Sequence, residues 1–166
     1  MCGIVGIYLK TKKFEKNLGK MLSGMLNSME SRGPDSAGFA IYKDEGKKIY
    51  KFSLCINDLS FSNFKKEISK KIKKAKLNQV SDHVILKTQE KPKKVIEIIN
   101  SNFSNVSIVG YGRSIEIFKQ VGNPKDVVKK FKLNSFSGTH GIGHTRMATE
   151  SAITTDGSHP YSTGED

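Results

Sequence analysis

The sequence predicts a mixed α+β fold, and three observations support this prediction. The apolar, β-branched run from Ile4 to Leu9 has the composition of a buried strand. Apolar residues at helical spacing then predict an amphipathic helix over residues 14–31. Between about residues 48 and 133, strand patterns alternate with helix patterns, which predicts an α/β insertion with a small sheet of its own.

The order of elements before the insertion follows from the turn residues. Residues 32–35, Arg-Gly-Pro-Asp, end the first helix because Gly and Pro do not continue one. Alternating apolar residues predict one strand from Ser36 to Tyr42 and another from Lys48 to Leu54, separated by the turn residues 44–46. The two strands are therefore expected to form a β-hairpin.

Within the predicted insertion, one helical pattern, at residues 58–74, has a polar face dominated by lysine. A basic amphipathic helix can contact a membrane or an acidic partner, but a solvated outer face is the commoner reason for such a pattern. Further strands are expected from His83 to Leu86 and from Val106 to Tyr111. Further helices are expected to begin at Pro92 and at Pro124, the latter with Asn123 as its N-cap.

The composition disfavours several classes of protein. With 166 residues, 36% hydrophobic and 27% charged, the sequence is typical of one soluble globular domain, and its apolar runs are too short to cross a membrane. Two cysteines provide no disulfide framework, so a cytoplasmic location is expected. The net charge of +12 comes mainly from lysine. Because specific readers of nucleic acid favour arginine and interleaved aromatic residues, nucleic-acid binding is not favoured.

The N-terminus carries a candidate nucleophile. Cys2 directly follows Met1, and a small second residue permits removal of the initiator methionine. The thiol and a free α-amine would then share one carbon, and an amine with a pKa of about 7.7–8.0 is partly neutral at cellular pH. Such an amine can take the thiol proton. The alternative, which this stretch alone leaves open, is an ordinary first strand with Cys2 as a small core residue.

The last thirty or so residues contain a second group of candidates. Residues 138–151 begin as a Gly-rich strand and continue into a polar loop, where Arg146 could hold a carboxylate through two parallel hydrogen bonds. Thr149 and the neighbouring backbone could hold an amine or amide. The spacing of the histidines at 140, 144 and 159 is not a standard zinc pattern, and there is no Gly-x-Ser-x-Gly sequence. We therefore expect neither a metal site nor a serine triad.

Three separated motifs resemble those of the class II glutamine amidotransferases. They are Met-Cys-Gly-Ile-Val-Gly at residues 1–6, Arg-Gly-Pro-Asp-Ser-Ala-Gly at 32–38, and Gly-His-Thr-Arg-Met-Ala-Thr at 143–149 with Ser-His-Pro at 158–160. Proteins of this family are N-terminal-nucleophile glutaminases with a four-layer αββα sandwich, so the resemblance implies that fold. The long stretch between the second and third motifs is similar to the stand-alone glutaminase subunit of multi-subunit glutamate synthases.

The resemblance also implies roles for individual residues. Cys2 would attack the side-chain amide of glutamine and form a thioester, with no cofactor, and Arg146 would bind the substrate α-carboxylate. The pocket would be completed by Thr149 and by the backbone at Met147 and His159. Supporting roles fall to Gly3, Arg32 and Asp35. For Arg32 and Asp35, a structural turn with an aspartate cap remains the alternative.

The family pattern continues beyond what this sequence contains. In the family, an Asn-Gly pair after the His-Pro segment supplies the oxyanion hole, and a later aspartate holds the substrate amine; neither appears before Asp166. We therefore expect residues 1–166 to be the front portion of an incomplete domain with an insertion at about 48–133, weak or inactive alone. The complete form would pass ammonia to a synthase subunit. The alternatives are a non-catalytic regulatory or assembly subunit and, less favoured, a basic nucleic-acid-binding module.

Overall fold

The computed structural model describes residues 2–46, 48–148, 152–163 and 166. The chain divides into two compact units. The first unit comprises Met1–Lys43 and Ile117–Tyr161, and the second comprises Asp44–Glu116 and Ser162–Asp166. Across the described ranges, none of the helices combines the length and the apolar character needed to cross a bilayer.

Strands and helices occur in the following order along the chain. The strands are β1 (Gly3–Tyr8), β2 (Ser36–Tyr42), β3 (Tyr50–Ile56), β4 (Lys76–Val80), β5 (His83–Thr88), β6 (Val106–Gly112), β7 (Ile115–Val121) and β8 (His140–Arg146). The α-helices are α1 (Leu18–Asn27), α2 (Phe61–Lys71), α3 (Pro92–Asn102) and α4 (Pro124–Lys130). Short 3-10 segments cover Lys12–Asn17, Glu30–Arg32 and Leu133–Ser135. This combination of sheets and separately packed helices confirms the predicted α+β class.

The first sheet has the strand order β1-β8-β2-β7. Both β1 and β2 run antiparallel to β8, with Gly3 opposite Thr145 and Ser36 opposite Arg146. The beginnings of β1 and β2 therefore lie beside the end of β8, at the same end of the sheet. Helix α1 packs on β1 and β8 through a buried stripe of leucines at positions 18, 22 and 26.

Burial in β1 differs from the prediction. The strand forms as expected, but only alternate residues are buried: Val5 is 7% exposed, whereas Ile4 and Tyr8 are 74% and 73% exposed. The reason is that β1 is an edge strand with α1 packed on one face only, so that its other face stays open. An apolar run in the sequence does not distinguish burial on one face from burial on both.

The helix predicted over residues 14–31 is shorter and is divided. The α-helical part spans Leu18–Asn27, between the 3-10 segments Lys12–Asn17 and Glu30–Arg32. At its beginning, the Gly19 amide donates to the carbonyl oxygen of Phe136, at 3.0 Å. The two hydrogen-bonding patterns share much the same apolar spacing over a few residues, so periodicity does not separate them.

The predicted hairpin is wrong. The strands at Ser36–Tyr42 and Tyr50–Ile56 both form, but β2 pairs with β8, whereas β3 pairs with β5 and β6 in the other sheet. Turn residues between two strand patterns allow a hairpin but do not exclude distant partners. Two strands were also missed: the polar, largely exposed β4, and β7.

The second sheet has the order β4-β5-β3-β6, with antiparallel pairings throughout. Its apolar residues pack against the buried faces of α2 and α3 to form a closed core. Members of this core include Phe52, Leu54, Phe64, Ile68, Val84, Leu86, Val95 and Ile99. The opposite face of the sheet carries Lys51, Ser53 and Cys55, which alternate with the core residues of β3 and are also buried.

The three helices predicted after residue 58 are confirmed. Helix α3 begins at Pro92, and α4 begins at Pro124 with Asn123 as its N-cap. The Asn123 side-chain oxygen accepts a hydrogen bond from the Asp126 amide at 3.0 Å, which satisfies one of the unpaired amides of the first turn. Helix α4 lies in the first unit, although the predicted insertion, at about 48–133, included it.

Candidate active site

Cys2 lies at the end of the first sheet where β1 and β2 begin and β8 ends. Strand β1 begins at Gly3, directly opposite Thr145, so Cys2 stands at the level of Arg146, the last residue of β8. The Cys2 side chain is exposed and its thiol is free. The strand thus anchors the backbone next to the thiol while leaving the sulfur open to a reactant.

Gly3 allows the segment after α1 to approach the nucleophile. A Cβ atom at this position would lie 2.9 Å from Thr145 Oγ1 and 3.3 Å from the Cβ of Arg32. Thr145 Oγ1 also donates to the Met29 carbonyl oxygen at 3.3 Å, which holds the same segment against β8. Arg32, itself exposed, is therefore a close neighbour of the residue that follows Cys2.

Asp35 ties the turn before β2 to the loop after β8. Its amide donates to the Arg146 carbonyl oxygen at 3.1 Å, and its Oδ2 accepts from the Ala148 amide at 2.7 Å. Gly33 comes equally close, because a Cβ there would lie 2.5 Å from the Arg146 amide nitrogen. This turn therefore positions the backbone on both sides of Arg146, and the Asp35 carboxylate acts through backbone contacts.

Arg146 carries the charged group nearest in the sheet register to Cys2. Its side chain is half-buried, and Nη1 donates to the Gly157 carbonyl oxygen at 3.2 Å. A guanidinium has five N–H donors in a fixed plane, so a backbone contact can orient the group for the recognition of a carboxylate. Met147, the next residue, is 44% exposed. The predicted pocket residue Thr149 lies outside the described residues.

His159 belongs to an aromatic stack that the sequence did not predict. Its ring stacks on His144, with centroids 4.3 Å apart, and meets Tyr161 edge-on at 4.5 Å. The Lys119 ammonium lies 4.6 Å from the centroid of Tyr161. Together with Ile4, Ile142, Gly143 and Pro160, the three rings line a cavity of about 280 Å³ beside β1 and β8.

Both stacked histidines favour the neutral form. Burial lowers the pKa of His144 to about 4, and the positive charges of His159 and Arg146 act in the same direction. Burial also lowers the pKa of His159, again with Arg146 and Lys119 contributing. Because the two imidazoles beside Arg146 favour the neutral form, the positive charge that attracts an anionic group here is that of the guanidinium.

Gly38 brings the His159 segment onto β2. A Cβ at Gly38 would overlap the carbonyl oxygen of His159 and lie 2.7 Å from Lys119 Cβ. The sequence offered a partial signal for this arrangement, since Gly38 and His144 both fall within the quoted motifs. Their partners Lys119 and Tyr161 had no such signal, because nothing local to them indicates a shared surface.

The chain is similar to proteins named as glutamine amidotransferases. It is 44% identical over 169 residues to the Glutamine amidotransferase-like protein GlxB of Rhizobium meliloti, an alignment covering 100% of this chain and 56% of that protein. It is 31% identical over 174 residues to a Putative glutamine amidotransferase of Methanothermobacter thermautotrophicus, covering 97% of this chain and 56% of the relative. The similarities support a glutamine amidotransferase family.

The similarities differ in how much of this chain and of the related protein they cover. A 52-residue segment, 31% of this chain, is 38% identical to 9% of the glutamine–fructose-6-phosphate aminotransferase (isomerizing) of Bradyrhizobium diazoefficiens. The chain spans about half the length of the first two relatives, 56% of each. No family model matches the chain.

Proposed function

We propose that this chain provides the nucleophile and the carboxylate-binding arginine of a class II glutamine amidotransferase with an N-terminal-nucleophile αββα sandwich. The observation that carries the proposal is that Cys2 and Arg146 lie side by side at one end of the first sheet. The pairing of Gly3 with Thr145 sets this arrangement. The names of two relatives that align over nearly the whole chain support glutamine as the substrate.

The proposed reaction begins once Met1 is removed. The α-amine of Cys2 takes the thiol proton, and the sulfur attacks the side-chain carbonyl carbon of glutamine. The tetrahedral intermediate collapses, the C–N bond breaks, and the amine returns the proton to the departing ammonia. Water then hydrolyses the γ-glutamyl thioester, which releases glutamate and restores the thiol.

Arg146 supplies the binding energy for the other end of the substrate in this proposal. Its guanidinium would hold the glutamine α-carboxylate, while the Gly157 carbonyl keeps it oriented. Met147, Thr149 and His159 complete the proposed pocket, and Gly3, Arg32 and Asp35 fix the backbone around it. The ammonia would pass, in the cytoplasm, to a synthase subunit of the glutamate synthase type.

A second candidate is a non-catalytic assembly subunit. Ile4 and Tyr8 expose apolar surface on the open face of the first sheet, at 74% and 73%. These two side chains lie on the same face of β1, and apolar residues grouped on one exposed face favour an interaction surface. An assembly role would survive the loss of Cys2, whereas the proposed reaction would not, so the two candidates are separable by experiment.

The first experiment tests whether Cys2 is the N-terminal residue and the nucleophile. Intact mass spectrometry of natively expressed protein should show the loss of Met1. A glutamine analogue carrying an electrophilic ketone should then label Cys2, and excess glutamine should suppress the labelling. The buried thiol of Cys55 is the internal control and should stay unmodified. Retained Met1 in a preparation that reacts with glutamine, or equal labelling of both thiols, would contradict the proposal.

A further inference from the structure

The second unit contains a cluster of sulfur, nitrogen and oxygen donors that shares no residue with the candidate active site. Cys55 on β3 stands directly opposite His83 on β5 in the antiparallel register. Asp82 immediately precedes His83. One donor atom from each of these three side chains lies within 4.8 Å of the other two. Register and chain continuity therefore bring a thiol, an imidazole and a carboxylate to one point.

Two of these donors are buried and the third reaches the surface. Cys55 is 3% exposed and the His83 side chain is fully buried, whereas the Asp82 side chain is 31% exposed. His83 Nδ1 lies 2.9 Å from Asp82 Oδ1. Asp82 lies in the turn between β4 and β5. Because its side chain is partly exposed, an ion can reach the cluster from solvent at this residue, and Asp82 is the ligand best able to move.

We propose that Cys55, His83 and Asp82 form a binding site for a Zn²⁺-like divalent ion. Thiolate sulfur, imidazole nitrogen and carboxylate oxygen are the three donor types that zinc takes in proteins, and three protein ligands leave one coordination position for water or a further ligand. Zinc–ligand bonds of about 2.0–2.3 Å place tetrahedral donors roughly 3.5 Å apart. His83 Nδ1 and Asp82 Oδ1, at 2.9 Å, are already closer than this spacing, so an ion would enter between them and replace their hydrogen bond.

Asn57 has the position of a supporting residue. The Cys55 thiol donates to Asn57 Oδ1 at 3.3 Å, so the amide fixes the direction of the sulfur. When the ion binds, the thiol proton leaves to solvent, the metal–sulfur bond takes the place of the S–H bond, and the Asn57 amide rotates so that Nδ2 donates to the thiolate. Groups that orient a metal ligand typically contribute about 10–100-fold to affinity. This gives the amide a measurable effect without making it a ligand.

The site differs from the candidate active site in every residue it uses. The N-terminal thiol and amine of Cys2 could themselves chelate an ion, and so could the stacked pair His144 and His159. Any test must therefore separate three possible sites on one chain. Cys2→Ala and His159→Gln are the matched controls, because each removes a donor of the same kind from the first unit.

The experiment is a competition titration of the metal-depleted full chain with Zn²⁺ against a chromophoric chelator, repeated with Co²⁺ to detect sulfur ligation by its charge-transfer absorption. We expect one equivalent of Zn²⁺ and a sulfur–Co²⁺ band in the wild type, in Cys2→Ala and in His159→Gln. Both should be lost in Cys55→Ala. Asn57→Ala should weaken binding about 10–100-fold, and the surface-accessible ligand variant Asp82→Asn at least as much.

The outcomes distinguish the proposed site from a hydrogen-bonded core cluster. Circular dichroism of Cys55→Ala and Asp82→Asn checks that each variant is folded, and Asp82→Asn tests the site without altering a buried residue. Failure of the folded wild type to bind Zn²⁺ would overturn the proposal. Binding that disappears with Cys2→Ala or His159→Gln but persists with Asp82→Asn would also overturn it, by assigning the ion to the first unit.

Discussion

The two units bring backbone and side chains together in different ways. In the first sheet, Gly3, Gly141 and Gly143 leave no room for a side chain, because a Cβ at each would lie within 3.0 Å of a side-chain atom of β1, β8 or α1. In the second sheet, residues such as Phe52 and Leu54 fill the space to the helices. Glycine in a strand costs stability but permits close backbone approach. In the first unit, these glycines lie on β1 and β8, the strands next to Cys2 and Arg146.

The two cysteines follow the same division. Cys2 is exposed at a strand end of the first unit, whereas Cys55 is buried within β3 of the second. A thiol that is open to a substrate and a thiol packed among other side chains have different chemistry, although both belong to cysteine. The comparison teaches that residue type suggests a reaction, while the position in the sheet decides which copy can perform it.

The largest expected effect tests the two cysteines against each other. Cys2→Ala should abolish glutamine hydrolysis, since removing a covalent nucleophile typically costs on the order of 10⁶ in turnover. Cys55→Ala should leave ammonia release close to that of the wild type. The measurement is ammonia release by the natural full-length protein under saturating glutamine. Glutamine hydrolysis retained in Cys2→Ala would contradict the proposed reaction by showing that Cys2 is not the nucleophile, whereas absence of hydrolysis in the wild type would favour the assembly role.

The second prediction tests close approach with two glycines of one helix. A Cβ at Gly19 would overlap the Leu133 carbonyl oxygen, whereas a Cβ at Gly24 would meet nothing within 4 Å. Gly19→Ala should destabilise the protein by about 1–3 kcal/mol or more, because the backbone must shift. Gly24→Ala should stabilise it by about 0.5–1 kcal/mol. Denaturant unfolding measures both, and similar values for the two variants would contradict the packing described for α1.

The third prediction concerns the proposed carboxylate-binding arginine. Arg146→Lys keeps the charge but loses the planar pair of donors, and the loss of a charge-assisted hydrogen bond costs about 1.5–3 kcal/mol. The glutamine concentration needed to suppress the labelling of Cys2 by half should rise accordingly, by about 10–100-fold. Arg113→Lys is the matched control in the second unit, where Arg113 Nη2 donates to the Tyr50 hydroxyl at 2.8 Å. Equal effects of the two substitutions would assign Arg146 to structure.

The fourth prediction compares helix caps between the units. Asn123 caps α4 with a side-chain hydrogen bond, whereas Ser60, at the equivalent position of α2, makes no side-chain cap bond. Asn123→Ala should cost about 0.5–2 kcal/mol, and Ser60→Ala should cost less. Thermal unfolding of the two variants checks the order. A larger loss for Ser60→Ala would show that α2 depends on a contact other than its core packing.

The last prediction is a pH dependence from His144. Its pKa falls from the ordinary 6.5 to about 4 on folding, chiefly through burial and then through His159 and Arg146. The folded state therefore binds fewer protons, so this contribution to stability is present above pH 6.5 and is lost as the pH falls toward 4. His144→Gln should lose less stability over that interval. An NMR titration of His144 with a midpoint near 6.5 would contradict the burial of its ring.

The sequence by itself determined the elements whose signals are local. Helical spacing and proline at the first position located α2 and α3, and the Asn123-Pro124 pair located the beginning of α4. Alternation located β2. The position of Cys2 directly after Met1 and that of Arg146 in a polar loop after a Gly-rich strand identified both as candidates. These predictions rest on interactions within a few residues of chain, namely capping bonds, the fixed backbone angle of proline, and one-sided burial of a regular helix or strand.

Only the tertiary structure decided which elements meet. The predicted hairpin gave way to the pairing of β2 with β8, about a hundred residues away. The pairing of β1 with β8 brought Arg146 level with Cys2. The stack of His144 on His159 and the facing of Cys55 and His83 also arise between distant segments. Which strands and helices pack against one another depends on the total area that all of them bury together. Local propensity carries no record of that sum. The sequence motifs named residues of the candidate site, but the strand pairings that place them, and the cluster in the second unit, came only from the tertiary structure.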